Sequence, residues 1–237
     1  MPQLVIDEVI LLVDTYFRMQ NITSISLKKE LVNELSDSMK ALPFFPDLRL
    51  EEGFRSPEGM QMCLANVGFI DPENNSKFGH GSQLQRKVFD YYRNDKELIR
   101  YVALAINRIS KEKFDLDYSF TDFLGGCLIG SYHTYLERTN KIVKFVREEN
   151  RQLTNTICSV CGRDLSKHYE HAEELMEVHI GLSVQEYAKA LTITPSDSII
   201  LCPTCHKLAH SKPQLFDVNL LRVKIKKDKI CIITNGI

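Results

Sequence analysis

The sequence contains no long hydrophobic run, no internal repeat and no low-complexity segment. Its apolar run VILLV, near the N-terminus, is far shorter than the roughly 20 residues that a membrane-spanning helix needs. Residues 1–7 also lack the basic stretch that opens a secretory signal peptide. We therefore expect a cytoplasmic protein that does not associate with a membrane.

A strong charge of one sign is also missing. The chain has 30 Lys+Arg against 31 Asp+Glu, a formal net charge of −1, so the overall balance does not indicate a nucleic-acid partner. From Lys207 to the end, however, the count is 7 basic to 2 acidic residues. This local positive charge is compatible with binding to a phosphate backbone and equally with a solvated Lys-rich strand.

The seven cysteines do not form the even set that is typical of a disulfide framework in a secreted protein. Four of them fall into two Cys-x-x-Cys pairs, and the other three are scattered. With 237 residues, the chain is long enough for one large domain or two modest ones. The cysteine pattern predicts a reducing compartment and a metal site.

The first half of the chain has the periodicity of helices. Apolar residues recur at helical spacing in four segments, namely 5–19, 26–42, 84–93 and 94–110. In FRSPEGMQMCLANVGFIDP, Ser56 suits a helix N-cap, Pro57 the first helical position and Gly68 the C-terminal stop. The pattern breaks up between Lys111 and Thr121. We therefore predict a mainly helical domain over residues 1–125.

Residues 126–237 carry a different pattern. A helix is predicted over 132–150 and leads into the cysteine region. The tail LRVKIKKDKICIITN predicts a β-hairpin around KKDK, with basic residues on its open face. The two halves together predict an α+β protein.

The two Cys-x-x-Cys pairs are Cys158/Cys161 and Cys202/Cys205, with 40 residues between them. Four thiolates on two tight turns form a tetrahedral sulfur cage, which suits structural zinc. Redox-active dithiols and unpaired buried thiols are the alternatives, and the duplicated spacing makes both less favourable.

The second cysteine pair lies in CPTCHKLAH, which also contains His206 and His210. If the chain is helical there, the two imidazoles lie one turn apart on one face and can bind one ion. Because four sulfurs would already saturate a zinc ion, this spacing indicates a second ion. Two alternatives remain: one histidine replaces a cysteine in the first site, or the pair faces solvent without a metal. His179, in the predicted strand LMEVHI, is a third candidate ligand.

The order of CSVCGRDL, LMEVHIGLS and PSDSIILCPTCHKLAH resembles the zinc-stapled HNH (ββα-metal) nuclease domain of McrA-like restriction endonucleases. The resemblance covers about residues 155–211, and the preceding GG…HTYLERTNK is similar to a lead-in common in bacterial proteins of this type. It implies that residues 126–237 form an HNH nuclease-like domain that holds zinc through four cysteines and ends in the predicted hairpin.

This resemblance implies a metal-dependent endonuclease that hydrolyses phosphodiester bonds in double-stranded DNA, in bacterial restriction or phage defence. It makes His206 and His210 ligands of a catalytic Mg²⁺, Mn²⁺, Ni²⁺ or Zn²⁺ ion. His179 and Asp197 become the catalytic residues, with Asp197 at the middle position that orients the reacting groups. Double-strand cutting by a single-site domain further implies a homodimer, and the helical domain over residues 1–125 would then serve recognition or dimerisation. The candidate DNA-binding residues are Lys207, Lys224, Lys226 and Lys227.

The chain departs from the family pattern in two places. The family has two adjacent residues on the first strand, a metal ligand followed by a general base, whereas this chain has His179-Ile180. If His179 is the ligand, the general-base position holds Ile180; if His179 is the general base, the ligand position holds Val178. Losing a general base typically costs about 10²–10⁴-fold in rate, and His168 or His171 is a conceivable substitute.

The second Cys-x-x-Cys pair also contains Thr204 at a position where the family often has Asn. A non-catalytic zinc-stapled DNA-binding protein is therefore an alternative hypothesis. The near-neutral net charge also keeps a zinc scaffold for protein interactions as an alternative.

Overall fold

The computed structural model describes residues 2–74, 79–138, 143–146, 148, 156–190, 193–211 and 216–225. The chain divides into two compact units, Met1–Tyr132 and His133–Ile237. Among the described residues, no helix is long and apolar enough to cross a membrane.

Helices build the first unit. They are α1 (Ile6–Gln20), α2 (Ile25–Ala41), α3 (Pro57–Ile70), α4 (Gln83–Tyr92), α5 (Lys96–Ile109) and the start of α6 (Cys127–Arg138). Helix α1 is central and packs against each of α2 to α5. Its apolar residues Val9, Ile10, Leu12 and Val13 are completely buried, which agrees with the predicted core stripe. The four helices predicted from periodicity are confirmed.

The signals at the ends of α3 are confirmed at one end only. Ser56 caps the helix, since its hydroxyl accepts a hydrogen bond from the Gly59 N–H at 3.2 Å, and Pro57 opens it. The predicted stop at Gly68 is wrong because the helix continues to Ile70. Gly68 instead allows a close approach: a Cβ there would lie 2.9 Å from the side-chain nitrogen of Asn74.

Two buried acidic residues fix the start of α1. The carboxylate of Glu8 accepts hydrogen bonds from Arg55 Nε at 2.6 Å and Nη2 at 2.8 Å, and both side chains are at most 2% exposed. Asp7 accepts hydrogen bonds from the backbone N–H groups of Cys127 at 2.8 Å and Leu128 at 3.0 Å. It thus satisfies N–H groups at the start of α6 that have no partner within that helix.

The second unit contains a short antiparallel strand pair and a helix that follows it directly. Strands β1 (Glu177–Ile180) and β2 (Ser198–Leu201) pair with His179 opposite Ile199, and α7 (Val184–Lys189) lies between them in sequence. Helix α8 (Pro203–Ala209) contacts both strands. This β-β-α order confirms the strand predicted at LMEVHI and the helix predicted around His206.

The C-terminal segment differs from its prediction. Residues Val218–Lys224 form α9, so the first strand of the predicted hairpin is wrong, and residues 226–237 lie outside the described part of the chain. The alternation in LRVKI fits a strand, but Val218 and Leu221 also share a helical face, and both are buried in this unit. The helix predicted over 132–150 begins earlier, at Cys127, and is described as far as Arg138, with residues 143–146 and 148 also helical.

Candidate metal centres

The four cysteines of the two Cys-x-x-Cys pairs come together as the sequence predicts. The sulfur atoms of Cys158, Cys161, Cys202 and Cys205 all lie within 4.8 Å of one another, and none forms a disulfide. Their side chains are buried or half-buried. This group can hold a metal ion.

Backbone contacts fix both pairs. The first pair sits in a tight turn in which Gly162, at φ +72°, donates its N–H to the carbonyl of Cys158 at 2.9 Å. Glycine suits this left-handed conformation because it has no Cβ. The N–H of Ser159 reaches the carbonyl of Ile200 at 3.0 Å, which ties the turn to β2. The second pair opens α8, with Cys202 as its N-cap residue.

The thiol pKa values differ across the group. A hydrogen bond from Cys205 and backbone N–H groups, opposed by burial, lower the pKa of Cys158 to about 4. The interaction with the Cys158 thiolate and burial raise the pKa of Cys205, and burial raises that of Cys202. Each thiolate thus makes ionisation of its neighbours less favourable, and a cation bound among the four sulfurs would offset this repulsion.

A second group surrounds the carboxylate of Glu137, which is 3% exposed. Four of the seven histidines contact it. Two approach Oε1, through His133 Nε2 at 2.9 Å and His179 Nδ1 at 2.8 Å. The other two approach Oε2, through His206 Nε2 at 3.2 Å and His210 Nε2 at 2.6 Å. We call these five residues the histidine–glutamate cluster.

Three elements supply this cluster. Helix α6 presents His133 and Glu137 one turn apart, and β1 presents His179. Helix α8 carries His206, and His210 is the C-cap residue that follows its last residue. The Nε2 atoms of the two histidines lie 3.2 Å apart, so the predicted one-face arrangement is confirmed. Within the cluster, the potential ligand atoms of His133, Glu137, His179 and His210 all lie within 4.8 Å of one another.

Hydrogen bonds at the edge of the cluster orient its rings. The Nδ1 atom of His206 hydrogen-bonds the carboxylate of Glu177, and Nε2 of His179 lies 3.0 Å from the carbonyl of Phe216. The N–H of Ile180 donates to Glu137 Oε1 at 2.8 Å. Such partners on the far nitrogen are typical of metal-binding histidines, because they fix the ring and its tautomer.

Burial and mutual attraction set the charges in the cluster. Burial raises the pKa of Glu137, but the surrounding imidazoles outweigh it and hold that pKa well below its ordinary value. Burial lowers the pKa of His133. For His206 burial acts in the same direction, yet Glu137 and Glu177 outweigh it and raise the pKa. The cluster therefore contains an ionised carboxylate in a nearly dry environment.

The predicted catalytic residues lie in different surroundings. His179 belongs to the histidine–glutamate cluster and is completely buried. The carboxylate of Asp197 accepts hydrogen bonds from the N–H and the hydroxyl of Thr194, both at 2.7 Å, and is not among the atoms that converge in either cluster. Asp197 therefore stabilises the turn before β2. The side chain of Ile180 is completely buried.

The structure describes two of the four predicted DNA-binding lysines. Lys207 on α8 and Lys224 at the end of α9 are exposed, and Lys226 and Lys227 lie outside the described residues. His168 and His171, the conceivable substitutes for a general base, are exposed and belong to neither metal-capable group.

Sequence reasoning missed His133 and Glu137. Their signal was the spacing H-x-x-x-E in HTYLERT, because residues four apart lie on one face of a helix. The same rule had already identified His206 and His210. Nothing local, however, shows that this face of α6 meets β1 and α8.

Comparisons with protein-family models, with curated proteins and with solved structures find no significant match to this chain. The functional assignment therefore depends on the residues of the two metal-capable groups and on how they are arranged.

Proposed function

We propose that this chain is a metal-dependent DNA endonuclease of the HNH (ββα-metal) type, which hydrolyses phosphodiester bonds in double-stranded DNA. One observation carries the proposal: the β-β-α unit brings two metal-capable groups together at α8, with Cys205 in one and His210, which caps the end of the helix, in the other. The cysteine group suits a structural Zn²⁺, because four thiolates close its coordination. The histidine–glutamate cluster provides the second site.

A divalent cation bound in the cluster would polarise the scissile phosphate and stabilise the leaving oxygen. A DNA phosphate would reach the cluster from the side of His206 and His210, whose side chains are 19% and 22% exposed. His179 is buried and its Nε2 faces a carbonyl, so its proposed role is to hold the site rather than to take a proton from water. Lys207, which is exposed next to His206 on α8, would attract the DNA backbone.

Restriction or phage defence, and action as a homodimer on both strands, follow from the resemblance of CSVCGRDL, LMEVHIGLS and PSDSIILCPTCHKLAH to the McrA-like domain. The N-terminal helical unit would then select the target or contact a second copy. Methylated and unmethylated duplexes should be compared, because a defence enzyme must discriminate foreign DNA.

The direct test incubates the purified chain with supercoiled plasmid and Mn²⁺, Ni²⁺, Zn²⁺ or Mg²⁺ in turn. We expect nicked and linear products with the wild type and a loss of at least ~100-fold in rate for His210→Ala, because the cation loses a ligand. His80→Ala is the matched control, since His80 is exposed and lies outside the cluster. Absence of cleavage with every metal, for both methylated and unmethylated DNA, would reject the proposal.

A non-catalytic DNA-binding protein is a second candidate, favoured by the complete burial of His179 and of Ile180 at the expected general-base position. It predicts salt-dependent duplex binding without cleavage. In a mobility-shift assay, His210→Ala should then bind as the wild type does, whereas Lys207→Ala should bind more weakly. Metal-dependent cleavage that disappears in His210→Ala would exclude this candidate.

A further inference from the structure

We infer that α6 supplies two ligands, His133 and Glu137, to a transition-metal ion that is also held by His179 and His210. The inference deepens the proposed function and rests on it for the biological role of the site. It differs from the ligand set that the family resemblance implies, which takes both helical ligands from His206 and His210.

The tautomer of His179 is the first support. A carbonyl oxygen can only accept a hydrogen bond, so Nε2 of His179 donates its proton to Phe216 O at 3.0 Å. In the neutral ring, Nδ1 then carries a lone pair, and it lies 2.8 Å from Glu137 Oε1. Nδ1 also has no hydrogen-bond partner. Two electron-pair donors this close together are stabilised by a shared cation.

His133, on α6, is the second support, because it too has a ring nitrogen close to Glu137 without a hydrogen bond. Its side chain is completely buried, and neither ring nitrogen has a hydrogen-bond partner. The ring stacks on Phe216, with 3.9 Å between centroids and 5° between planes, while Nε2 lies 2.9 Å from Glu137 Oε1. Buried polar atoms without hydrogen bonds are costly and rare in native proteins. Coordination to a metal accounts for a ring that is held rigidly with Nε2 beside a carboxylate.

The donor set decides the class of metal. Three imidazole nitrogens and one carboxylate oxygen suit Zn²⁺, Ni²⁺ or Co²⁺, whereas Mg²⁺ prefers oxygen ligands and retains bound water. His206 contacts Glu137 and His210 through its Nε2 atom at the partly exposed edge of the cluster, and its Nδ1 atom hydrogen-bonds Glu177. We place it outside the ligand set, because it is not among the four residues whose ligand atoms all converge.

Metal counting tests this assignment without any measurement of activity. The full chain is loaded with Zn²⁺, passed into metal-free buffer and analysed for zinc per chain by mass spectrometry. We expect two ions for the wild type, one for His133→Ala and for Glu137→Gln, and two for His206→Ala. His168→Ala and His171→Ala are matched controls that keep two ions, and circular dichroism verifies that each variant is folded.

Cobalt provides a second measurement that does not depend on the variants folding. During titration of the metal-free wild type with Co²⁺, sulfur ligation gives intense near-ultraviolet charge-transfer bands, whereas an imidazole–carboxylate site gives weak visible bands alone. We expect one equivalent of each kind in the wild type.

Three results would overturn the inference. The first is a wild type that binds one ion by both methods, and the second is two ions retained by both His133→Ala and Glu137→Gln. The third is loss of the ion in His206→Ala with retention in His133→Ala, which would restore the family ligand set. The proposed function and this site can fail independently. Two bound ions without DNA cleavage would reject the nuclease and keep the metal site. DNA cleavage by a chain that binds one ion would reject the metal site and keep the nuclease.

Discussion

Cys205 and His206 are adjacent in α8, yet their side chains belong to different groups. The sulfur of Cys205 lies within 4.8 Å of three other cysteine sulfurs, and Nε2 of His206 lies 3.2 Å from Glu137 Oε2. Consecutive residues of a helix point about 100° apart, so one short helix can face two sites. This geometry links the cysteine group to the histidine–glutamate cluster, and a change in one should alter the position of the other.

Cys161→Ser should remove the metal ion of the cysteine group. Cys161 is half-buried, so the substitution disturbs packing little and acts mainly through the lost sulfur ligand. We expect one fewer zinc per chain and a fall of at least ~10 °C in the unfolding temperature of the second unit, because binding of structural zinc contributes directly to folding free energy. Calorimetry with metal analysis measures both. Cys63→Ser, outside the group, is the control, and an unchanged zinc content in Cys161→Ser would contradict the prediction.

Lys207→Ala should weaken binding to duplex DNA without changing the metal content. Lys207 is exposed on α8, beside the histidine–glutamate cluster. A lysine that contacts one phosphate lowers the slope of log affinity against log salt by ~1 when it is removed. Fluorescence anisotropy at several salt concentrations measures the slope. Lys40→Ala on α2 serves as control, and identical slopes for wild type and Lys207→Ala would show that this face does not contact DNA.

Arg55→Met should destabilise the N-terminal unit strongly. It removes both hydrogen bonds from the Arg55 guanidinium to Glu8 and leaves that carboxylate buried without its counter-charge. Breaking a buried pair in this way typically costs about 3–5 kcal/mol. Chemical denaturation monitored by circular dichroism gives the free energy of unfolding.

The matched control for Arg55 is Arg18→Met. Arg18 pairs with Glu34 at 3.3 Å, but their side chains are 32% and 62% exposed. Exposed pairs of this kind contribute about 0–1 kcal/mol because water screens them. Equal losses for the two variants would show that burial does not set the strength of the Glu8–Arg55 pair.

Asp7 should make the stability of the N-terminal unit fall as pH rises from about 4 to about 6. Burial, opposed by hydrogen bonds from Leu128 and Cys127, raises the pKa of Asp7 from 3.8 to about 6. In this window the folded state keeps the proton that the unfolded state has released, so rising pH favours unfolding. The expected loss is on the order of 3 kcal/mol.

Asp7→Asn isolates this contribution, because the amide does not titrate and the other ionisable groups are unchanged. Urea unfolding between pH 3.5 and 6.5 should show the wild type losing stability relative to Asp7→Asn. A difference that stays constant, or that moves the opposite way, would mean that the folded-state pKa of Asp7 is not raised.

Local sequence determined the elements that depend on neighbouring residues. The apolar stripe of α1, the Ser56 cap and the EVHI strand follow from periodicity and capping, which act within a few residues. The two Cys-x-x-Cys pairs and the one-turn spacing of His206 and His210 are local for the same reason. These features therefore predicted the four-cysteine group and a second cluster of possible ligands.

Tertiary structure decided what completes that second cluster. Glu137 and His133 are more than 40 residues from His179 in the chain, and packing of α6 with β1 and α8 brings them together. Packing likewise selected a helix for LRVK, a segment whose apolar pattern fits a strand as well as a helix. It also directed Asp197 towards Thr194. Spacing along the chain thus identified which residues can bind a metal, whereas the burial of Glu137 among four imidazoles depends on long-range contacts that no local pattern encodes.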